Sequence, residues 1–156
     1  MTGTDGSYNP PALTAWAAMP VGEISLLPSP NTWVNLPGTD LLLPAGGSYD
    51  VDVTWRAHVQ GTPPGHYYIS GRLWDVTAGA VVPSSETWVT QFNVLGAGVE
   101  TGADGTGDAH VRYQVTAPTT LRMQAYYAPL TGAATIARVL SQPTGWTRAR
   151  ATQVGV

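Results

Sequence analysis

The chain has 156 residues, a net charge of −3 and 43% hydrophobic residues, enough for one domain with its own core. Only 11% of the residues are charged, all seven cations are arginine, and there is no cysteine or lysine, whereas an ordinary domain has about 25% charged residues. Disulfides and thiol chemistry are therefore excluded. An acidic chain with singly scattered arginines carries no electrostatic footprint for nucleic acid. No apolar run approaches the ~20 residues that span a bilayer, so no membrane insertion is expected. Met1 to Asn9 is polar and glycine-rich without a basic region, which points to a chain made in a cytoplasm without a secretory signal.

Residues 1–22 contain Gly3, Gly6, Pro10, Pro11, Pro20 and Gly22, with Tyr8, Leu13 and Trp16 among them. Such a segment reads as an extended N-terminal arm. Its aromatic and aliphatic side chains call for a surface to dock on, either the arm's own domain or a neighbouring subunit. Residues 23–156 form the domain proper. Short apolar segments recur there between turn signals, the pattern of an all-β sandwich or barrel. Strands are predicted over 23–27, 32–36 and 40–43. The next, 48–60, alternates strictly, with Tyr49, Val51, Val53, Trp55, Ala57 and Val59 on one face. Over 66–75, Tyr67, Ile69, Gly71 and Leu73 face one way and Tyr68, Arg72 and Trp74 the other.

Strands follow over 80–82 and 88–95, the latter with Trp88, Thr90, Phe92 and Val94 sharing a face. The five glycines of residues 96–107 predict a loop. Further strands are expected over 109–117, 120–127, 135–141 and 147–154. No segment has apolar residues at helical spacing. Eight to ten antiparallel strands that must hide their edges predict an antiparallel jelly-roll β-sandwich.

No catalytic residues can be named. A nucleophile needs an adjacent base and an orienting acid, and there is neither a cysteine nor a G-x-S-x-G sequence. His58, His66 and His110 lie on or beside strands without metal-ligand spacing. Asp50 and Asp52 share a strand face at about 7 Å, the pattern of a solvated or arginine-paired face rather than a glycosidase pair. Glu100, Asp104 and Asp108 in the glycine-rich stretch could supply calcium ligands, but their spacing fits a plain hairpin loop better. No cofactor is expected. The exposed aromatics are the functional candidates, because aromatic residues are enriched at protein interfaces and can also stack on sugar rings. Interface candidates are Tyr8, Leu13, Trp16, Tyr68, Trp74 and Trp146.

The stretch Ala45-Gly46-Gly47-Ser48-Tyr49-Asp50-Val51-Asp52-Val53 resembles the opening of a core strand in C1q/TNF-like jelly rolls, including those of bacteriophage particle proteins. Residues 32–36, 111–125 and 134–151 resemble the module's preceding short strand, its paired late strands and its closing hairpin. The resemblance covers about residues 24–154. It implies a non-enzymatic virion protein, a homotrimeric capsid decoration or head-fibre subunit whose partners are a major capsid protein or other virion proteins. A tail-tip module that binds a receptor or a cell-surface glycan is the alternative. The family's fibre tips stand on a stalk, which this chain lacks before its domain; the short arm fits an accessory subunit on a larger shell.

Overall fold

The computed structural model describes residues 13–155. Twelve strands and no helix occur among these residues, and every strand pairing is antiparallel. The first sheet is built on β5 (Gly47–Gly61), which pairs along its full length with β9 (Thr101–Val115). The other edge of β5 is shared end to end by β12 (Arg148–Gly155) and β11 (Ala134–Ser141). Outside these two lie β1 (Thr14–Ala18) and β2 (Gly22–Ser25).

The second sheet repeats the plan around β6 (Gly65–Asp75). Its long partner is β10 (Thr119–Thr131), and its other edge is shared by β7 (Ala80–Val81) and β8 (Thr87–Val94). The short strands β3 (Trp33–Asn35) and β4 (Leu41–Leu43) complete the sheet outside β10.

The period-two alternation of β5 places Tyr49, Val51, Val53, Trp55, Ala57 and Val59 in the space between the sheets. Tyr67, Ile69 and Leu73 of β6 and Leu121, Met123, Ala125 and Tyr127 of β10 face them. Each side chain of this size contributes about 1.5–3 kcal/mol when fully buried. Buried hydroxyls close the connections. Ser85 Oγ donates to Val82 O at 2.7 Å and accepts from Leu73 N at 3.0 Å. Thr147 Oγ1 donates to Leu140 O at 2.6 Å and accepts from Arg56 N at 3.0 Å.

Three expectations are corrected. Residues 14–18, assigned to an irregular arm, form β1 in register with β12, Thr14 opposite Thr152 and Ala18 opposite Arg148. Ala17 and Met19 are buried there, which offsets the cost of ordering the segment. Residues 101–107, read as loop, are the first half of β9. Gly105 and Gly107 are a packing requirement, because β8 of the opposite sheet runs close beneath them. A Cβ at Gly105 would overlap the carbonyl oxygen of Val89 and lie 2.6 Å from Cβ of Thr90. The third correction concerns β8, whose register shifts opposite Ile69 and Ser70, so that Thr90 opposes Ile69 but Trp88 opposes Ser70. The extra residue is a β-bulge. It leaves Val89 and Phe92 buried and Trp88 62% exposed on the outer face, away from Phe92.

Candidate functional site: an aromatic face and an arginine cleft

The outer face of the second sheet is aromatic. On β6 the even-numbered Tyr68, Arg72 and Trp74 point away from the core, and on β10 Gln124 and Tyr126 do the same. The bulge adds Trp88 from β8, and the register of β3 sets Trp33 opposite Tyr126. Tyr68 stacks on Trp88 with ring centroids 5.3 Å apart, and Tyr126 lies 6.5 Å from Tyr68 and 5.1 Å from Trp33. The Arg72 guanidinium lies 4.1 Å over the Trp33 ring and 5.3 Å from that of Trp74. The result is a continuous band from Trp88 to Trp74 across the sheet.

Polar groups fix this band. Arg72 Nε donates to Gln124 Oε1 at 2.8 Å, and Gln124 Nε2 donates to Asn35 Oδ1 at 2.8 Å. Burial pushes the Arg72 guanidinium below its ordinary pKa, with Glu86 acting weakly the other way. Cation–π contact of this kind is worth roughly 0.5–1 kcal/mol when exposed and more when desolvated.

The outer face of the first sheet is charged instead. Arg112 clasps Asp50 through Nε at 2.8 Å and Nη2 at 3.1 Å, and this hydrogen-bonded pairing holds the Asp50 carboxyl below its ordinary value. His110 Nδ1 lies 2.7 Å from Asp52, and His58 Nδ1 lies 2.9 Å from Asp104. Arg138 pairs with Glu23 at 2.5 Å. Next to these pairs is an open cleft of about 500 Å³ lined by Thr54, Arg56, Thr106, Trp146 and Arg148 and by residues 143–145.

The sequence candidates divide between the two faces. Tyr68 and Trp74 lie together in the aromatic band. Trp146 lines the cleft of the other sheet, and Trp16, 55% exposed, lies on that side with the Arg148 guanidinium 5.1 Å over its ring. Leu13, 46% exposed, lies beside β12, its carbonyl accepting from Gln153 N at 2.8 Å. Tyr8 lies outside the described residues. Sequence reasoning missed Trp33, Tyr126 and Trp88. The alternation of β10 was sufficient to place Tyr126 outward opposite its inward Tyr127. The bulge that exposes Trp88 left no local signal.

The candidates for chemistry do not converge. His58 and His110 lie on the first sheet and His66 on the second, and their ring contacts go to Asp104, Gln60, Asp52 and Gln91. Asp50 and Asp52 have separate partners, the Arg112 guanidinium and the His110 ring, as a side-chain-paired strand face requires. Asp104 and Asp108 lie four residues apart on β9, roughly 13 Å at strand rise, and Glu100 lies just before the strand, four residues ahead of Asp104. Glu100, Asp104 and Asp108 contact Thr135, His58 and Thr54 respectively. Among the described residues no three His, Cys, Asp or Glu side chains come together as a metal site.

The fold belongs to a recognised class of antiparallel jelly rolls. The chain is similar to Eiger TNF from S. frugiperda, with a TM-score of 0.53 and 12% identity over 93% of this chain and 94% of that one. It is also similar to VP2 of the infectious bursal disease virus subviral particle, with a TM-score of 0.52 and 13% identity. It aligns over 99% of its own length but spans only 37% of VP2. VP2 of the Gx strain gives a TM-score of 0.51 at 12% identity over the same shares of the two chains, 99% and 37%. No family profile and no curated protein matches the sequence. At these identities the similarity shows a shared jelly-roll fold.

Proposed function

We propose that this chain is a non-enzymatic structural subunit of a virus particle, a homotrimeric capsid decoration or head-fibre protein of a bacteriophage. It works by lasting contact with other protein surfaces, a major capsid protein or another virion component. The observation that carries this reading is the aromatic band on the outer face of the second sheet. Trp, Tyr and Arg are the residue types that dominate binding energy at interface centres. Here they are pre-stacked and tied by hydrogen bonds, so little side-chain freedom is lost on docking. Only one ion pair, Arg122 with Asp40 at 2.5 Å, borders this face among the described residues. Its desolvation therefore costs less than that of the opposite, charge-laced face. The TNF-like and capsid fold is compatible with assembly by sheet faces.

The test is the solution mass of the purified chain by light scattering, followed by co-sedimentation with assembled shells. The expected mass is three times the 16.4 kDa of one chain, with retention on shells. Trp88→Ala and Tyr68→Ala are expected to weaken one or both associations while the thermal melting curve remains cooperative. A monomer at every concentration that also fails to sediment with shells would overturn the reading. A receptor-binding or carbohydrate-binding module at a tail tip is the second reading, favoured by the half-buried Trp74 at one end of the band. It predicts glycan binding that Trp74→Ala weakens.

A further inference from the structure

The arginine cleft on the first sheet differs from its neighbours in charge. Two smaller clefts flank it. One shares Arg56 and Thr106 with it and includes Asp104, and the other shares Thr54 and Arg148 and includes Asp52. The central cleft is lined by two guanidiniums and by no carboxylate, and the nearest acid, Asp108, stands at its edge with its charge turned to the Thr54 hydroxyl at 2.6 Å. A concentration of positive charge in a chain of net charge −3 selects for anions at that position.

Arg56 is held in place by hydrogen bonds, and the exposed Arg148 is guided by an aromatic ring. Arg56 donates through Nη1 to Gly145 O at 3.1 Å, and its backbone N–H is bound by the buried Thr147 hydroxyl at 3.0 Å. Residue 145 must be glycine for this approach, because a Cβ there would overlap Nη1 of Arg56. Arg148 is braced against the Trp16 ring at 5.1 Å. Pre-positioned guanidiniums suit a planar carboxylate, which they bind through paired charge-assisted hydrogen bonds. Beside them Trp146 and Pro143 supply apolar surface and Thr106 a hydroxyl, while the Thr54 hydroxyl donates to Asp108 and is left to accept. An aromatic ring next to hydroxyl groups fits the alternating apolar face and polar rim of a sugar. The volume lies within the range of small-ligand sites.

We propose that this cleft binds an acidic saccharide, with the carboxylate of a uronate ring between Arg56 and Arg148 and the ring stacked against Trp146. The proposal refines the carbohydrate reading by naming a site and a ligand charge. It rests on neither trimeric assembly nor the aromatic face.

The test is calorimetric titration of the full chain with galacturonate trisaccharide, its methyl ester, maltotriose and sodium sulfate. The uronate is expected to bind, and its methyl ester at least about ten-fold more weakly, the scale of one charged hydrogen bond. Arg148→Gln is expected to weaken uronate binding by a similar factor and Arg148→Lys by less. Trp146→Ala is expected to reduce it further, with Trp146→Phe retaining part of it in case the alanine variant does not fold. No uronate binding, or equal binding of the ester, would overturn the proposal. So would sulfate competing as well as the uronate, which would reduce the site to a simple anion site. Uronate binding that survives Arg148→Gln but is lost in Trp74→Ala would place the sugar on the aromatic face and refute this assignment, while the carbohydrate reading itself would stand.

Discussion

Tyr113 of β9 donates its phenol proton to the buried Asp75 of β6 at 2.7 Å, a side-chain hydrogen bond that links the two sheets. The same carboxylate accepts from Ala78 N at 2.7 Å and shapes the turn after β6. Burial, followed by the hydrogen bond and charge of Asp75, pushes the Tyr113 phenol up to about 12. A folded pKa above the unfolded value means stability that is complete below the ordinary tyrosine pKa of 10.0 and declines as pH rises toward about 12. Tyr113→Phe removes the donor and leaves the carboxylate short of a partner, an expected loss of about 1–3 kcal/mol at neutral pH in urea unfolding. The variant is also expected to lose less stability between pH 10 and 12 than the parent chain. Gly71 controls packing in a different way. The Trp55 indole fills the space over it, and a Cβ there would lie 2.5 Å from the ring. Gly71→Ala therefore overpacks the core, with an expected loss of about 1–3 kcal/mol, measurable as a lower melting temperature with unchanged strand signal in circular dichroism.

At the scale of elements, β5 and β9 show what a strand's sequence does and does not encode. Strict alternation over β5 identified both its length and its core face, because one side is fully buried and the other carries ionic partners. β9 is equally long and pairs with all of β5, yet half of it reads as a loop. Gly105 and Gly107 report the nearness of β8, a tertiary fact absent from local spacing. Gly105→Val is expected to separate the sheets at this point, with loss of cooperative unfolding in a thermal melt. A glycine that merely served a loop would tolerate the change with little effect on melting. The candidate sites follow the same logic. Tyr68 and Trp74 were legible because they occupy the outward positions of a recognisable strand. Trp88 was not, since a bulge reverses its face. The arginine cleft assembles residues from β5, β9, β12 and the β11–β12 connection, and only the antiparallel register brings them together.

The whole molecule is a sandwich with two unlike outer faces. The aromatic face is held by stacking, by the Arg72 cation–π contacts and by hydrogen bonds among Arg72, Gln124 and Asn35, none of which uses a carboxylate that acid would protonate. The charged face is laced across β5 and β9 by Asp50 with Arg112, Asp52 with His110 and His58 with Asp104. Hydrogen bonding to Arg112 lowers the Asp50 pKa below 3.8, and hydrogen bonding to Arg122 does the same for Asp40 at the other sheet. Folded values below the unfolded one mean that both carboxylates stabilise the fold above pH 3.8 and cease to do so as pH falls through their folded pKa values. Melting temperatures measured from pH 6 down to about 2 should therefore decline below about 4, the ordinary carboxylate range, by the modest amount that exposed pairs supply. Arg112→Gln returns Asp50 toward its ordinary value, and its melting temperature should depend less on pH over that interval. Added salt should mimic the substitution only weakly, because a bidentate pair in contact is screened less than separated charges. An equally steep acid transition in Arg112→Gln would mean that the ion pairs across β5 and β9 do not govern the acid stability of this face.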